Sequence, residues 1–198
     1  MDNRMEQLAA AVLPMVQECV AARERQIIEQ LREKADEIMQ SLTAALERNF
    51  MQAAKLQKAE KMQPLAYLCF AILQSDILLD RHTLQLDAYD TMLYLDKCEV
   101  STDWEIEWLF PCFAEDCTRI EQHLKRTLTR VQAYELKEVR RAYSMNYYAT
   151  AALVLPKLLP AVMEKADLHE VQLQDEVQIT IGMYMEQQQS LYTWRKQS

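Results

Sequence analysis

The stretch RQIIEQLREKADEIMQSLTAALERN, residues 25–49, carries the strongest structural signal in the chain. Its apolar residues recur every three or four positions, which is the period of one face of an α-helix. They are Ile27, Leu31, Ala35, Ile38, Leu42 and Ala45. Charged side chains fill the positions between them, as on the solvated face of an amphipathic helix. The stretch therefore predicts a helix with Ile38 and Leu42 on its apolar face.

The helical region extends well beyond this stretch, because residues 15–61 contain neither proline nor glycine. As one helix they would be about 70 Å long, whereas a compact chain of this size has a radius of gyration of about 16 Å. Either the helix breaks, near Ser41–Thr43 or Asn49, or it projects and pairs with another chain. We expect residues 1–62 to form a coiled-coil-like helical segment, and we expect a homodimer that buries Ile38 and Leu42.

Glycine is almost absent from the rest of the chain as well. Gly182 is the only one in 198 residues, and there are five prolines, whereas ordinary usage of glycine is about 7%. Because tight β-turns draw on glycine for positive φ angles, the composition predicts a mainly α fold. We expect an irregular helical bundle with at most one small β-hairpin. That hairpin would lie near residues 83–96, where an irregular helical segment is the alternative.

The local pattern of the body, residues 63–198, also favours helices. Thr102 and Glu105 match a capping box, so one helix is expected from about Asp103. Val177, Ile179 and Ile181 alternate like a strand, but a helix is favoured there. Helices are expected in four parts of the body. One begins after Pro64, one at about Asp103 and one at about Asp175, and another covers about residues 130–155.

The negative charge of the chain is concentrated in its middle. The formal net charge is −8, and residues 63–118 hold two basic against eleven acidic residues, a net −9. The acidic segment, 76–116, also contains several aromatic residues. Tryptophan is frequent at binding hot spots, and acidic surroundings attract basic partners. We therefore expect a protein-binding surface at Tyr94, Asp103, Trp104, Glu107 and Trp108. The alternative is a set of solvated ion pairs within the chain, each of which contributes little.

A basic stripe follows this acidic segment. It consists of Arg126, Arg130, Tyr134, Lys137 and Arg141, which share one face if a single helix continues through them. Nucleic acid is nevertheless an unlikely partner, because the sequence pI is about 5.0 and an acidic field lies next to the stripe.

Signals for catalysis or metal binding are weak. Asp76 and Asp80 have helical spacing and could bind Mg²⁺ in a metal-dependent enzyme. Cys112 follows Pro111, where a new helix would lower its thiol pKa. The widely spaced Cys98, Cys112 and Cys117, with His82 or His123, make a poor zinc pattern. We expect no cofactor, no metal and no catalytic residues.

A non-enzymatic protein that binds other proteins is therefore the favoured interpretation, and a helical domain that binds a small molecule is the alternative. The pocket of that alternative would lie near Tyr143 and Tyr147, with Tyr134, Tyr148 and Asn146. The odd number of cysteines, five, argues against a disulfide framework and favours a reducing compartment. Because neither a signal peptide nor a membrane span is evident, we expect a cytoplasmic protein without a membrane partner.

Overall fold

The fold is a mixed α/β arrangement in a computed structural model that describes residues 2–95, 98–168 and 170–196. Within these residues the helices are α1 (Asp2–Glu33), α2 (Ala35–Lys58), α3 (Gln74–Leu78), α4 (Phe113–Thr127) and α5 (Ala133–Lys165). The strands are β1 (Leu65–Ile72), β2 (Thr83–Tyr89), β3 (Val100–Glu105), β4 (Leu173–Met183) and β5 (Gln188–Arg195). The predicted all-α bundle with at most one hairpin is wrong, and so is its coiled coil.

The five strands form one sheet in the order β3-β2-β1-β4-β5. The central pair, β1 and β4, is parallel, and every other neighbouring pair is antiparallel. A parallel pair requires a long crossover connection. The connection from β1 to β4 contains strands β2 and β3 and helices α3, α4 and α5.

One face of the sheet is apolar and packs against α2. Ile38, Leu42 and Phe50 of α2 are buried, and the helix lies closest to β2 and β3. The strands supply every second side chain to this face, including Leu86 and Trp104, which are buried. The helical period predicted for residues 25–49 is confirmed over α2, although the break falls at Lys34 and not at Ser41–Thr43 or Asn49.

Three predicted helices are strands. The segments after Pro64, from Asp103 and from Asp175 fall in β1, β3 and β4. In β3, alternate residues Val100, Thr102 and Trp104 are buried, and β-branched and aromatic side chains suit such a half-buried surface. The Thr102–Glu105 spacing therefore only resembled a capping box. Strand β3 pairs with β2 along its whole length, which satisfies its backbone hydrogen-bonding groups. No local sequence pattern indicates this pairing.

The scarcity of glycine misled the fold prediction because other residues adopt positive φ angles here. In the described residues these are Glu60, Asp80, Leu93, Cys112, Arg130, Glu170 and Met185, with φ between 50° and 63°. A left-handed residue with a side chain is disfavoured by about 1–2 kcal/mol. The sheet therefore forms without glycine turns, at the expense of several strained positions.

The chain divides into two structural units. The first comprises residues 1–33 and 107–150, and the second comprises residues 34–106 and 151–198. The predicted boundary at residue 62 falls inside the second unit. Among the described residues, no helix is both long enough and apolar enough to cross a membrane.

Candidate functional site

A buried carboxylate connects three helices of the first unit. Asp116 of α4 is fully buried, and both its oxygens accept hydrogen bonds from Arg23 of α1, each at 2.7 Å. The Tyr143 hydroxyl of α5 donates to the same carboxylate at 2.8 Å. Burial raises the pKa of Asp116, but the bonds from Arg23 and Tyr143 lower it by more, so its pKa is below the usual range. We call Arg23, Asp116 and Tyr143 the Asp116 network.

A second ion pair joins α1 directly to α5. Arg4 donates from Nε and Nη2 to the two oxygens of Glu135, at 2.8 and 3.2 Å. The carboxylate also accepts the backbone N–H of Gln132 at 2.7 Å, at the start of α5. The hydrogen bonds from Arg4 and then Gln132 lower the pKa of Glu135. The relative positions of α1 and α5 are therefore fixed by Arg4–Glu135 and by the Asp116 network.

An aromatic cluster fills the interior beside the Asp116 network. The rings of Phe113 and Tyr143 are stacked with centroids 5.7 Å apart, and those of Phe110 and Tyr147 are stacked at 4.7 Å. The Tyr143 and Tyr147 hydroxyls are hydrogen-bonded at 2.9 Å, and burial raises the pKa of Tyr147 to about 12. These tyrosines pack as a core and do not surround an open polar pocket between them.

An apolar groove lies between α1 and the first half of α5. Its volume is about 350 Å³. It is lined by Met5, Leu8, Ala9, Val12, Leu13 and Val16 of α1, and by Glu138, Val139, Arg141, Ala142, Tyr143 and Asn146 of α5. Met5 is 50% exposed and Leu13 is 53% exposed. Exposed apolar side chains gathered along a groove are typical of binding sites, whereas scattered ones are ordinary. We call this feature the α1–α5 groove.

A smaller cavity of about 190 Å³ lies on the other side of α5, against α4. It is lined by Cys117, Ile120 and Glu121 of α4, and by Leu136, Lys137, Val139, Arg140 and Tyr143 of α5. Val139 and Tyr143 line both this α4–α5 cavity and the α1–α5 groove. The pocket that the sequence suggested near Tyr143 therefore corresponds to two separate concavities, and Asn146 lines the groove.

The second unit has a polar cluster on the sheet face opposite α2. Asp87 is 1% exposed and accepts hydrogen bonds from Ser101 Oγ at 2.6 Å, Gln85 Nε2 at 2.8 Å and Tyr89 OH at 3.4 Å. Burial raises its pKa above the usual range, because neutral donors compensate only part of the lost hydration. Cys69 lies directly across from Asp87 on β1, and burial raises its pKa to about 11.

The single glycine of the chain lies on this same face. A Cβ atom at Gly182 would come within 2.7 Å of the Gln187 carbonyl and 2.9 Å of Gln188 Nε2. The missing side chain allows Gln188 to lie over β4, where its Nε2 donates to the Met183 carbonyl at 2.9 Å. The need for glycine at this position comes from close packing, since its φ angle is not positive.

The predicted interaction residues Ile38, Leu42 and Trp104 are buried within the second unit. Ile38 and Leu42 are 3% and 0% exposed, and Trp104 is 3% exposed. The Trp104 indole donates to Ser41 Oγ at 3.0 Å, and its ring meets Phe70 edge-on at 6.2 Å. The structure thus offers no exposed surface at these three side chains.

The other members of the predicted acidic surface belong to different elements of the fold. Tyr94 is half-buried in a 3₁₀ turn and meets Tyr89 edge-on at 5.3 Å. Asp103 is exposed on β3. Glu107 and Trp108 lie in a short 3₁₀ helix, Glu107–Leu109, of the first unit, whereas Trp104 belongs to the second. Trp104 and Trp108 therefore do not share a helix face, because the helix predicted from Asp103 is β3.

The basic stripe is also interrupted. Helix α4 ends at Thr127 and α5 begins at Ala133, and Arg130 between them has a φ of 54°. Arg141 is paired with Glu138 at 3.0 Å. The continuous basic helix face on which nucleic-acid binding would depend does not form.

The weak catalytic and metal signals gain no support from the geometry. The buried carboxylate of Asp76 accepts hydrogen bonds from Arg81, at 2.5 Å, and from Thr83. Asp80 lies beyond the end of α3. Burial raises the pKa of Cys112, although α4 does begin just after it. Among the residues that the structure describes, no group of three or more His, Cys, Asp or Glu could hold a metal ion.

The residue pairs that organise this region were missed by the sequence analysis. Arg23 and Asp116 are 93 positions apart, and Arg4 and Glu135 are 131 apart. The apolar spacing of Met5, Ala9 and Val12 was the only available signal for the groove. No protein-family model, curated protein or solved structure matches this chain.

Proposed function

We propose that this chain is a non-enzymatic interaction protein of the cytoplasm, and that its α1–α5 groove binds an amphipathic helix of a partner protein. The observation that supports this most strongly is the exposed apolar lining of the groove, with Met5 and Leu13 about half exposed. All five cysteines are free thiols, which agrees with a reducing compartment.

The shape and lining of the groove favour a helix as its occupant. From Met5 to Val16 the groove follows α1 for roughly 16 Å at 1.5 Å per residue, which is about three helical turns. Helices that dock in grooves present apolar anchors three, four and seven positions apart. The flexible Met5 side chain suits a surface that must adapt to such anchors.

The charges around the groove favour apolar rather than ionic recognition. Glu138 and Arg141, the two charged residues of its lining, are paired with each other at 3.0 Å. Since these rim charges neutralise each other, the free energy of binding would come mainly from apolar burial, at about 25 cal/mol per Å².

The buried contacts of the first unit also keep the groove open before a partner arrives. Arg4–Glu135 and the Asp116 network connect α1 to α5 directly and through α4. A preformed site loses less conformational freedom on binding than one that must be assembled. The polar groups that fix these helices are themselves satisfied, so they do not compete with an apolar ligand.

Selection from a library of helical peptides tests the proposal without knowledge of the natural partner. We expect the wild-type protein to enrich peptides with apolar residues at positions i, i+3 or i+4, and i+7. Ala9→Glu places a charge inside the groove and should abolish this enrichment. Ala22→Glu makes the same change at an exposed position of α1 outside the groove lining, and should preserve it.

The outcomes of the selection separate the possible occupants. Equal enrichment on wild type and Ala9→Glu would contradict a helix-binding groove. Light scattering then distinguishes a second copy of this chain from a different protein. A wild-type dimer that Ala9→Glu dissociates would identify the groove as a homodimer interface, contrary to the proposal.

A further inference from the structure

The α4–α5 cavity differs from the groove in size and in charge. Its apolar lining includes Ile120 of α4, Leu136 of α5 and the Tyr143 ring. Its volume of about 190 Å³ exceeds the roughly 150 Å³ at which an apolar cavity in a protein accommodates benzene. The space therefore suits a single ring or a short branched chain.

Two cationic side chains of α5 border the cavity. Lys137 and Arg140 are three positions apart and so lie on the same side of the helix. The Arg140 guanidinium lies 5.1 Å from the centre of the Phe113 ring, which fixes its position. Lys137 is exposed, and no ion pair involves it in the described part of the chain.

Glu121 and Tyr143, which also line the cavity, both have partners. Glu121 forms an ion pair with Lys125, one turn further along α4. The Tyr143 hydroxyl is bonded to Asp116 and Tyr147. A polar group on a ligand at the mouth of this cavity would therefore meet the positively charged, exposed side chain of Lys137.

We propose that the α4–α5 cavity binds a small monocarboxylate with a single ring or a short branched apolar body. The apolar body lies against Ile120, Leu136 and Val139, and the carboxylate is placed at the mouth beside Lys137. An ammonium ligand would be repelled by Lys137, and a neutral ligand of the same size would form no ion pair with it. Binding of this carboxylate would be a function in addition to partner binding, because no residue of α1 lines the α4–α5 cavity.

Benzoate is a suitable probe, and benzyl alcohol is its neutral counterpart of similar size. In methyl-labelled protein we expect benzoate to shift the NMR signals of Ile120, Leu136 and Val139 in a saturable manner. Benzyl alcohol should bind at least about fivefold more weakly, because a partly exposed ion pair contributes up to about 1 kcal/mol. Leu136→Phe fills the cavity and should abolish the saturable shifts.

A pair of matched variants tests the role of the cation. Lys137→Gln should weaken benzoate binding about fivefold, to the level of benzyl alcohol. Lys157→Gln makes the same change at an exposed lysine of the same helix that does not line the cavity, and should leave the affinity unchanged.

Three results would overturn the proposal. They are the absence of saturable shifts, equal affinity of Lys137→Gln and wild type for benzoate, and shifts confined to Leu8, Val12 and Val16 of the groove. The last result would show that small apolar molecules enter the groove instead. Ala9→Glu alters only the groove, so its effect on peptide binding is independent of the benzoate result.

Discussion

Asp116 in the first unit and Asp87 in the second are both almost completely buried, but these two carboxylates are stabilised in opposite ways. Asp116 of the first unit is paired with a cation, Arg23, at 2.7 Å, and its pKa is lowered. Asp87 of the second unit has only the neutral donors Ser101, Gln85 and Tyr89, and burial raises its pKa. A buried carboxylate without a cation shifts toward its neutral form, whereas a paired one remains charged.

The two carboxylates also differ in the structural elements that they connect. Asp116 joins α1, α4 and α5, which are far apart in sequence and form the walls of the groove and the cavity. Asp87 joins residues of its own strand and of the neighbouring β3, where backbone pairing already fixes the geometry. The strong ion pair therefore occurs where no backbone hydrogen bonds connect the elements.

Removal of Arg23 should produce the largest loss of stability. Arg23→Met removes both 2.7 Å hydrogen bonds to the buried Asp116 and leaves Arg119, at 3.9 Å, as its remaining cation; a loss of about 3 kcal/mol in the free energy of unfolding is expected. Urea denaturation at neutral pH measures this loss. Arg25→Met, at an exposed position two residues away, is the control and should change stability by less than about 0.5 kcal/mol. A loss below about 1 kcal/mol for Arg23→Met would show that the pair is dispensable.

Removal of single hydroxyl groups compares the two carboxylates directly. Tyr143→Phe removes a 2.8 Å bond to the charged Asp116 and should destabilise the protein by about 1.5–3 kcal/mol. Tyr89→Phe removes a bond of 3.4 Å to Asp87 and should have an effect below about 1 kcal/mol. Both losses are measured by urea denaturation. Similar losses for the two variants would contradict the proposed contrast.

Gly182→Ala tests the packing on the polar sheet face. The new Cβ atom would approach the Gln187 carbonyl to 2.7 Å, so the β4–β5 hairpin must move, with an expected loss of about 1–2 kcal/mol. Thermal unfolding measures the effect. Ser190→Ala, at an exposed position of β5, is the control. An unchanged melting temperature for Gly182→Ala would show that Gln188 moves aside without consequence.

The smallest expected effect is a difference in pH dependence. The raised pKa of Asp87 means that the folded state holds its proton more tightly than the unfolded state. Stability from this group is thus present below about pH 3.9 and decreases as the pH rises through the folded pKa. Asp116 has a lowered pKa, so its contribution is present above about pH 3.9 and is lost as the pH falls.

Asp87→Asn should remove the first of these trends. We expect the stability of wild type relative to Asp87→Asn to fall as the pH rises above about 3.9, as measured by urea denaturation at several pH values. Asp103→Asn, at an exposed position of the neighbouring strand β3, is the matched control variant. A difference that grows with pH would mean that Asp87 is stabilised as the charged form.

The sequence predicted structure well where a local period determined burial, and poorly where distant pairing did. The apolar stripe of α2, including Ile38 and Leu42, was identified, although these residues pack on the sheet and not on another chain. A helix was expected in place of strand β3 because Thr102 and Glu105 match a capping box. The low glycine content was misleading because Met185 and other residues with side chains adopt positive φ angles.

The candidate site was less predictable than the fold. Tyr143 was identified as a pocket residue, and it does line both the groove and the cavity. Its connection to Arg23 through Asp116 depends on the packing of three helices, which no local sequence pattern indicates. Exposure of Met5 and Leu13 likewise follows from the position of α5, not from the sequence of α1.

Site-specific photocrosslinking in cells that produce this protein tests its central claim most directly. A photoreactive amino acid at Leu13, which is 53% exposed in the groove, is compared with one at Leu153, which is 70% exposed outside the groove lining. We predict that Leu13 alone gives a discrete adduct, that Ala9→Glu abolishes it, and that the crosslinked peptide has apolar residues at helical spacing. The same adducts from both positions, or an adduct that persists in Ala9→Glu, would contradict a helix-binding α1–α5 groove.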